Sequence, residues 1–162
     1  MRNKKTLFIT EAAVIAALYT VLVLIFAPIS YGPIQVRIAE ALTILPYFTS
    51  AAIPGVTIGC FLSAILSGSD VLDMIFGSLA TLIAAIISYR LRRYKFLVPI
   101  PPIVANAIIV PWVLRYAYNI PDAIPFMMLT VGFGEFIAAG ILGMLLLLAL
   151  DKVKNVIFRN HQ

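Results

Sequence analysis

The chain is built from long uncharged stretches separated by short charged clusters. No Asp, Glu, Lys or Arg falls between Ala12 and Val36, Ala41 and Ser69, Met74 and Tyr89, or Phe96 and Leu114, and between Ala123 and Leu150 only Glu135 does. A helix needs about 20 mainly apolar residues to cross the roughly 30 Å hydrocarbon core of a bilayer. On that rule residues 7–26 form a first membrane helix, ended by Pro28. Residues 71–90 form another, and residues 97–116 a third, opened by Pro99, Pro101 and Pro102. Residues 123–151 form the last, interrupted only by Glu135.

The stretch from Ala41 to Ser69 fits no single crossing. As one straight helix its 29 residues would reach about 43 Å, and Pro46 and Pro54-Gly55 interrupt it. Charge decides how often it crosses. Basic loops stay in the cytoplasm, and acidic residues count little. With Arg2, Lys4 and Lys5 inside, one crossing would put the RLRRYK run, Arg90 to Lys95, outside. Two crossings, over 38–50 and 54–68, put that run inside, together with Lys152, Lys154 and Arg159. Ten of the twelve Lys and Arg residues are then cytoplasmic, the exceptions being Arg37 and Arg115. The expectation is one membrane domain over 1–162: an all-α bundle of six transmembrane helices with both termini in the cytoplasm.

Composition agrees with lipid as the solvent. The chain is 62% hydrophobic and 12% charged, with a mean hydropathy of +1.05. A soluble domain of 162 residues lacks the interior to hide so much apolar surface. RNKK before an apolar run imitates a signal peptide, but Glu11 interrupts early and no small-residue cleavage site follows. The net charge of +5 is distributed as topology requires, so nucleic-acid binding is not expected. Cys60 is alone among apolar neighbours, which points to packing rather than a disulfide or a metal site.

The remaining polar residues fall toward the outer half of this bundle. Gln35, Arg37 and Glu40 enter the second helix. Asp70 and Asp73 open the fourth. Asn106, Trp112, Arg115, Tyr116, Tyr118 and Asn119 lie along and just beyond the end of the fifth, and Glu135 sits about three turns into the sixth. Ordinary explanations exist for several. Arg37 and Glu40 are spaced to pair at a helix start. Asp70 and Asp73 suit a helix N-terminus. Trp112, Tyr116 and Tyr118 suit an interfacial aromatic belt, and Asn106 can bond to backbone. Glu135 resists such an account, because a carboxylate inside a span is costly and functional by default. Arg37, Glu40, Asp73, Asn106 and Glu135 together predict an outward-facing pocket for a ligand rich in N–H donors. Trp112 or Tyr116 would stack on a flat ring.

No phosphate-binding Gly-Lys-Ser/Thr loop, His pair, Cys pair or Ser/His/Asp set is present, and His161 is the only His. An enzyme is not expected, nor a metal or cofactor. In EAAVIAALYT, Ala12 and Ala16 repeat at i,i+4, as do Ala13 and Ala17. Such a stripe lets another helix approach closely, whether a sibling or a partner protein.

Taken with these features, the segments VRIAEALTILPYFTSAAIPG, DMIFGSLATLIAA, PPIVANAIIV and VGFGEFIAAG resemble the QueT family, proposed substrate-binding S-components of energy-coupling factor (ECF) transporters for queuosine precursors. The resemblance covers essentially the whole chain. It implies a six-helix S-component in the bacterial plasma membrane, docking through Ala12, Ala13, Ala16 and Ala17 onto a transmembrane coupling protein that works with two ATPase subunits. The implied ligands are queuine and other 7-substituted 7-deazaguanines. Glu135 would take the guanine-like edge, Asn106 the O6/N7 side, and Asp73 or Glu40 a cationic amine. Arg37 would orient Glu40 or bond the base carbonyl. The alternatives are an S-component for another small heterocycle or vitamin, a proton-coupled carrier of a small amine with Glu135 as its proton site, and a purely structural membrane subunit.

Overall fold

The computed structural model describes residues 3–30 and 36–157. Gln35, Arg2, Arg159 and His161, to which the sequence gives a pocket-entry, topological or terminal place, lie outside these residues. The described chain is helical. α1 (Lys4–Ile25) starts at Asn3, whose side chain accepts from Lys5 N, and stops at Phe26, before Pro28. A four-residue helix, α2 (Ala27–Ser30), follows. α3 is Ala52–Leu66, α4 Val71–Arg90 and α5 Ile100–Tyr116. α6 (Ile124–Glu135) passes without a break into α7 (Gly143–Ile157) through a π-helical segment, Phe136–Leu142.

Four stretches are long and apolar enough to cross a membrane: Lys4–Ile25, Val71–Arg90, Lys95–Tyr116 and Ile124–Lys154. The region expected to cross twice is different in kind. Ile38–Tyr47 is a ten-residue 3₁₀ helix, and α3 has 15 residues. Both are apolar and both are shorter than a straight span. A 3₁₀ helix rises about 2.0 Å per residue against 1.5 Å in an α-helix, so the tighter winding lets ten residues reach about 20 Å. Pro46 lies inside this segment.

The 3₁₀ segment is the hub. It touches α1, α3, α4, α7 and the π segment, while α1–α3, α3–α4, α4–α5 and α5–α6 pack in sequence around it. Every residue from Ala39 to Pro46 is buried. Runs of 3₁₀ helix beyond three or four residues are uncommon because their hydrogen bonds are poorly aligned, and this one is enclosed by α-helices and the π segment. Gly143 helps to seat it. A Cβ there would lie 3.0 Å from Ile44 Cγ2 and 3.5 Å from the Ala41 carbonyl oxygen.

The closest helix pair is α1 with α3. A Cβ on Gly55 would come within 2.9 Å of the Ile15 side chain and 3.0 Å of the Ala12 carbonyl oxygen. On Gly59 it would come within 2.7 Å of Tyr19 Cβ and 2.9 Å of the Ala16 carbonyl oxygen. Ala12 and Ala16 are correspondingly buried, while Ala13 and Ala17 face outward. The two interleaved alanine repeats thus separate: one lies inside the molecule against a Gly-x-x-x-Gly face, and the other remains on its surface. Small residues on both helices are what permit this approach.

Because backbone atoms of α1 stand in the way, Gly59→Val forces the two helices apart. It is expected to lower stability by about 1–3 kcal/mol, measured as an earlier thermal melt of the detergent-solubilised protein. The outward-facing Ala13→Leu should stay within about 0.5 kcal/mol of the parent.

Candidate functional site

Three long-range neighbours meet at the hub. Glu40 projects from the first turn of the 3₁₀ segment, Asn106 from the middle of α5, and Glu135 from the last residue of α6, where the π segment begins. Glu40 is 1% exposed, and Asn106 and Glu135 are each 2% exposed. Asn106 lies beside both carboxylates, yet no hydrogen bond of good geometry closes the set. Glu40 Oε2, Asn106 Nδ2 and Glu135 Oε2 are all buried without a partner. Each such group costs about 1–3 kcal/mol, and more when charged. Gathered in one place they are a pattern rather than an accident: two acceptors and one donor, unsatisfied by the protein.

The other Glu40 oxygen is held. Tyr19 O–H donates to Oε1 at 2.5 Å, and Tyr19 is 1% exposed. Tyr19 sits where it does because Gly59 lets α3 press against its Cβ. Thr43 Oγ1 donates to the Glu40 carbonyl at 2.6 Å, which steadies the first 3₁₀ turn. The alternative of a simple Arg37–Glu40 surface pair is not what forms. Among the described residues the one salt bridge joins Lys154 to Asp151. Arg37 instead stands in the field of Asp73, Glu135 and Glu40 together.

Above this set is a narrow cleft lined by Tyr19, Arg37, Cys60, Ser63, Ser69 and Asp73, among others, with a free volume of about 30 Å³. That is room for a water molecule or two and not for a ring system. Cys60 packs in the core cluster with Ile15, Tyr19 and Val56, as its apolar neighbours predict, and also borders the cleft.

Asp70 and Asp73 divide their work. Asp70 caps α4, its carboxylate accepting from Leu72 N at 2.8 Å. Asp73, 8% exposed, accepts from Tyr118 O–H at 3.1 Å, and the same hydroxyl receives the Asp70 N–H at 3.3 Å. Tyr118 thus ties the α5–α6 turn across the head of α4, beside the cleft. The turn is set by Asn119, at φ 52°, a left-handed conformation that Asn tolerates, and by Arg115 Nη1 donating to the Ile120 carbonyl at 3.0 Å. Burial pushes the Tyr118 phenol up, so it remains the donor to Asp73 throughout the physiological pH range.

Trp112 and Tyr116 lie elsewhere. They stack on each other, centroids 6.3 Å apart and planes 9° from parallel, and are 45% and 67% exposed. They line an apolar groove between α4 and α5 with Leu72 and Phe76, apart from Glu40, Asn106 and Glu135. The aromatic residue at the polar cluster is Tyr19, which sequence reasoning passed over. Its signal was slight: Tyr19 and Thr20 are adjacent side-chain hydroxyls in an otherwise aliphatic stretch of α1.

Long apolar helices enclosing unsatisfied carboxylates and an amide define an all-α integral membrane protein with an internal polar site. Residues 9–152 match the QueT transporter family, and the chain belongs to that family. The queuosine precursor transporter QueT of Lactococcus lactis subsp. cremoris (strain MG1363) is 44% identical over 85 residues, which are 51% of this chain and 50% of that protein. The chain thus matches about half the length of that relative. No solved structure matches.

Tyr19→Phe removes the one hydrogen bond to the Glu40 carboxylate among the described residues, leaving both of its oxygens without a described partner. A loss of about 1–3 kcal/mol is expected, read as a fall in melting temperature. An unchanged melt would mean that this bond does not hold Glu40.

Proposed function

We propose that this chain is the substrate-binding S-component of an ECF-type importer for a queuosine precursor, queuine or another 7-substituted 7-deazaguanine. One observation carries the reading: the three unpartnered buried atoms, two carboxylate oxygens and an amide nitrogen. Their complement is a flat edge with two N–H donors and one acceptor. A guanine-like edge has that sequence, with its ring N–H and exocyclic amine as donors and its carbonyl as acceptor. Glu135 and Glu40 take the donors, charge assistance strengthening each bond, and Asn106 takes the carbonyl. Arg37 and Asp73 lie in the cleft through which the substituent at the 7-position points. Asp73 suits the cationic amine of queuine or of the aminomethyl precursor, and Arg37 balances the surrounding carboxylates.

A cleft of about 30 Å³ does not admit such a ring as it stands. In this reading, loading through the cleft releases Asp73 from the α5–α6 turn or parts the helices beside Arg37. Energy for import comes from two ATPase subunits acting through a transmembrane coupling protein. In this reading the chain crosses the plasma membrane six times, using the 3₁₀ segment and α3 as its two short crossings, with both termini in the cytoplasm. Ala13 and Ala17, on the outward side of α1, are the part of the alanine stripe available to the coupling protein. Ala12 and Ala16 are engaged with α3.

Two outcomes test this. In a thermal-shift and native mass-spectrometry screen of queuine, its two precursors, guanine and common vitamins, the 7-deazaguanines should bind. Glu135→Gln should then lower their affinity about 10- to 100-fold. Binding of a vitamin alone would assign the site to a different S-component, and undiminished binding by the variant would remove Glu135 from the contact.

Copurification from cells should bring down the coupling protein and two ATPases. Ala13→Leu should weaken that association while leaving the isolated subunit's melt unchanged. Uptake driven by a pH gradient, with no ATPase partner, would instead mark a proton-coupled carrier.

A further inference from the structure

The α4–α5 hairpin is electrically one-sided. From Met74 to Pro121 the chain has no Asp or Glu, while Arg90, Arg92, Arg93 and Lys95 crowd the run that ends α4 and leads toward α5. Arg90, Arg92 and Arg93 are exposed, and Lys95 is half-buried. None of the four meets a carboxylate among the described residues, where the one salt bridge is Lys154–Asp151. Arg92 lies over the Tyr89 ring, 4.4 Å from its centroid, and Lys95 over the Phe96 ring at 5.5 Å. These contacts orient the cations without neutralising them. Tyr94, between Arg93 and Lys95, and Phe96, just after Lys95, are 59% and 66% exposed. Basic and aromatic groups interleaved in this way suit the membrane–water interface.

An apolar furrow begins at this run. Ile83, Ile87 and Leu91 form one wall, Val104 and Ile108 the other, and Ala105 lies among them; its volume is about 380 Å³. Ile108 and Ile109 also line the groove that continues toward Trp112 and Tyr116, so the furrow follows α5 for most of its length. From Ile100 to Ile109 is about 14 Å of helix. A hydrocarbon chain lying along α5 meets a continuous apolar lining over that length.

We propose that the furrow binds one anionic phospholipid, with the headgroup phosphate on Arg90, Arg92, Arg93 and Lys95 and one acyl chain between α4 and α5. A cluster of cations beside an intramembrane groove is the combination that selects anionic lipid from a mixed bilayer. Charge alone would draw a diffuse layer of anionic headgroups, and the groove alone would take any acyl chain. Their continuity at Leu91 makes a single site with both specificities.

Native mass spectrometry of the full-length protein tests this, with dioleoyl phosphatidylglycerol and dioleoyl phosphatidylcholine as the probes. One phosphatidylglycerol should be retained at least tenfold more tightly than phosphatidylcholine. The double substitution Arg92→Gln with Arg93→Gln, on exposed positions, should bring the ratio close to one. Ala105→Leu, which partly fills the furrow, should weaken retention of both lipids. Melting curves without added lipid establish that each variant is folded. Equal retention of the two lipids by the parent protein overturns the proposal. So does a preference that survives the double substitution, or lipid retention that Ala105→Leu leaves unchanged. An acidic protein partner on the basic run is the reading left if lipid selectivity is absent.

Discussion

The bond from Tyr19 to Glu40 is the constraint on which the rest of the molecule depends. A carboxylate on a fully buried segment must be held or it will draw water or its counter-charge inward. Here one oxygen is held and the other is not. Holding it needs Tyr19 at a fixed height on α1, and that height is set by Gly55 and Gly59, which let α3 lie against the backbone of α1. The small residues of two helices and the orientation of one buried acid are thus parts of the same arrangement. Replacing a glycine disturbs a polar site that it does not touch.

The opposite wall is built less regularly. α6 and α7 are joined by a π segment that starts at the residue after Glu135. A π turn inserts an extra residue per hydrogen-bonded loop, which shifts the buried stripe around the helix and is a frequent companion of functional sites. In this molecule it keeps both Glu135 and the pair Ala138–Ala139 on the interior side. The buried polar cluster is therefore flanked by a tightly locked α1–α3 pair and by a helix whose hydrogen-bond register changes at Glu135. The free oxygens of Glu40 and Glu135 thus come from opposite walls of the same interior.

Much of the fold was legible because lipid imposes a simple rule. Four long apolar runs, one of them interrupted only by Glu135, became four long apolar helices, and the prolines marked several of their limits. The stretch from Ala41 to Ser69 was legible as broken, but its winding was not. Pro46 and Pro54 report that a straight helix stops, and nothing in the composition distinguishes a ten-residue 3₁₀ helix from a short α-helix. The π segment left no trace for a similar reason, since a single extra residue has no period. The buried acids and the amide were legible because charge and amide groups are rare in apolar runs. Tyr19 was not, because one hydroxyl on a large ring reads as packing. The alanine stripe shows both faces at once in sequence. Which face turns inward is decided by Gly55 and Gly59, some forty residues away.

The separation of Trp112 and Tyr116 from the polar site follows from the same physics. In water, exposed aromatic rings on a small domain would signal a binding pocket. In a bilayer they are at home on the surface, and the interface rewards rings with a polar edge. The side chains that stand out in this molecule are therefore the ones the solvent rejects. Acids, an amide and a hydroxyl drawn to the centre from α1, the 3₁₀ segment, α5 and α6 have no role in lipid and incomplete partners in protein. On the transport reading proposed above, such incompleteness is what leaves room for a ligand. Groups that satisfied one another fully would bind nothing, and groups left open to lipid would not remain in place.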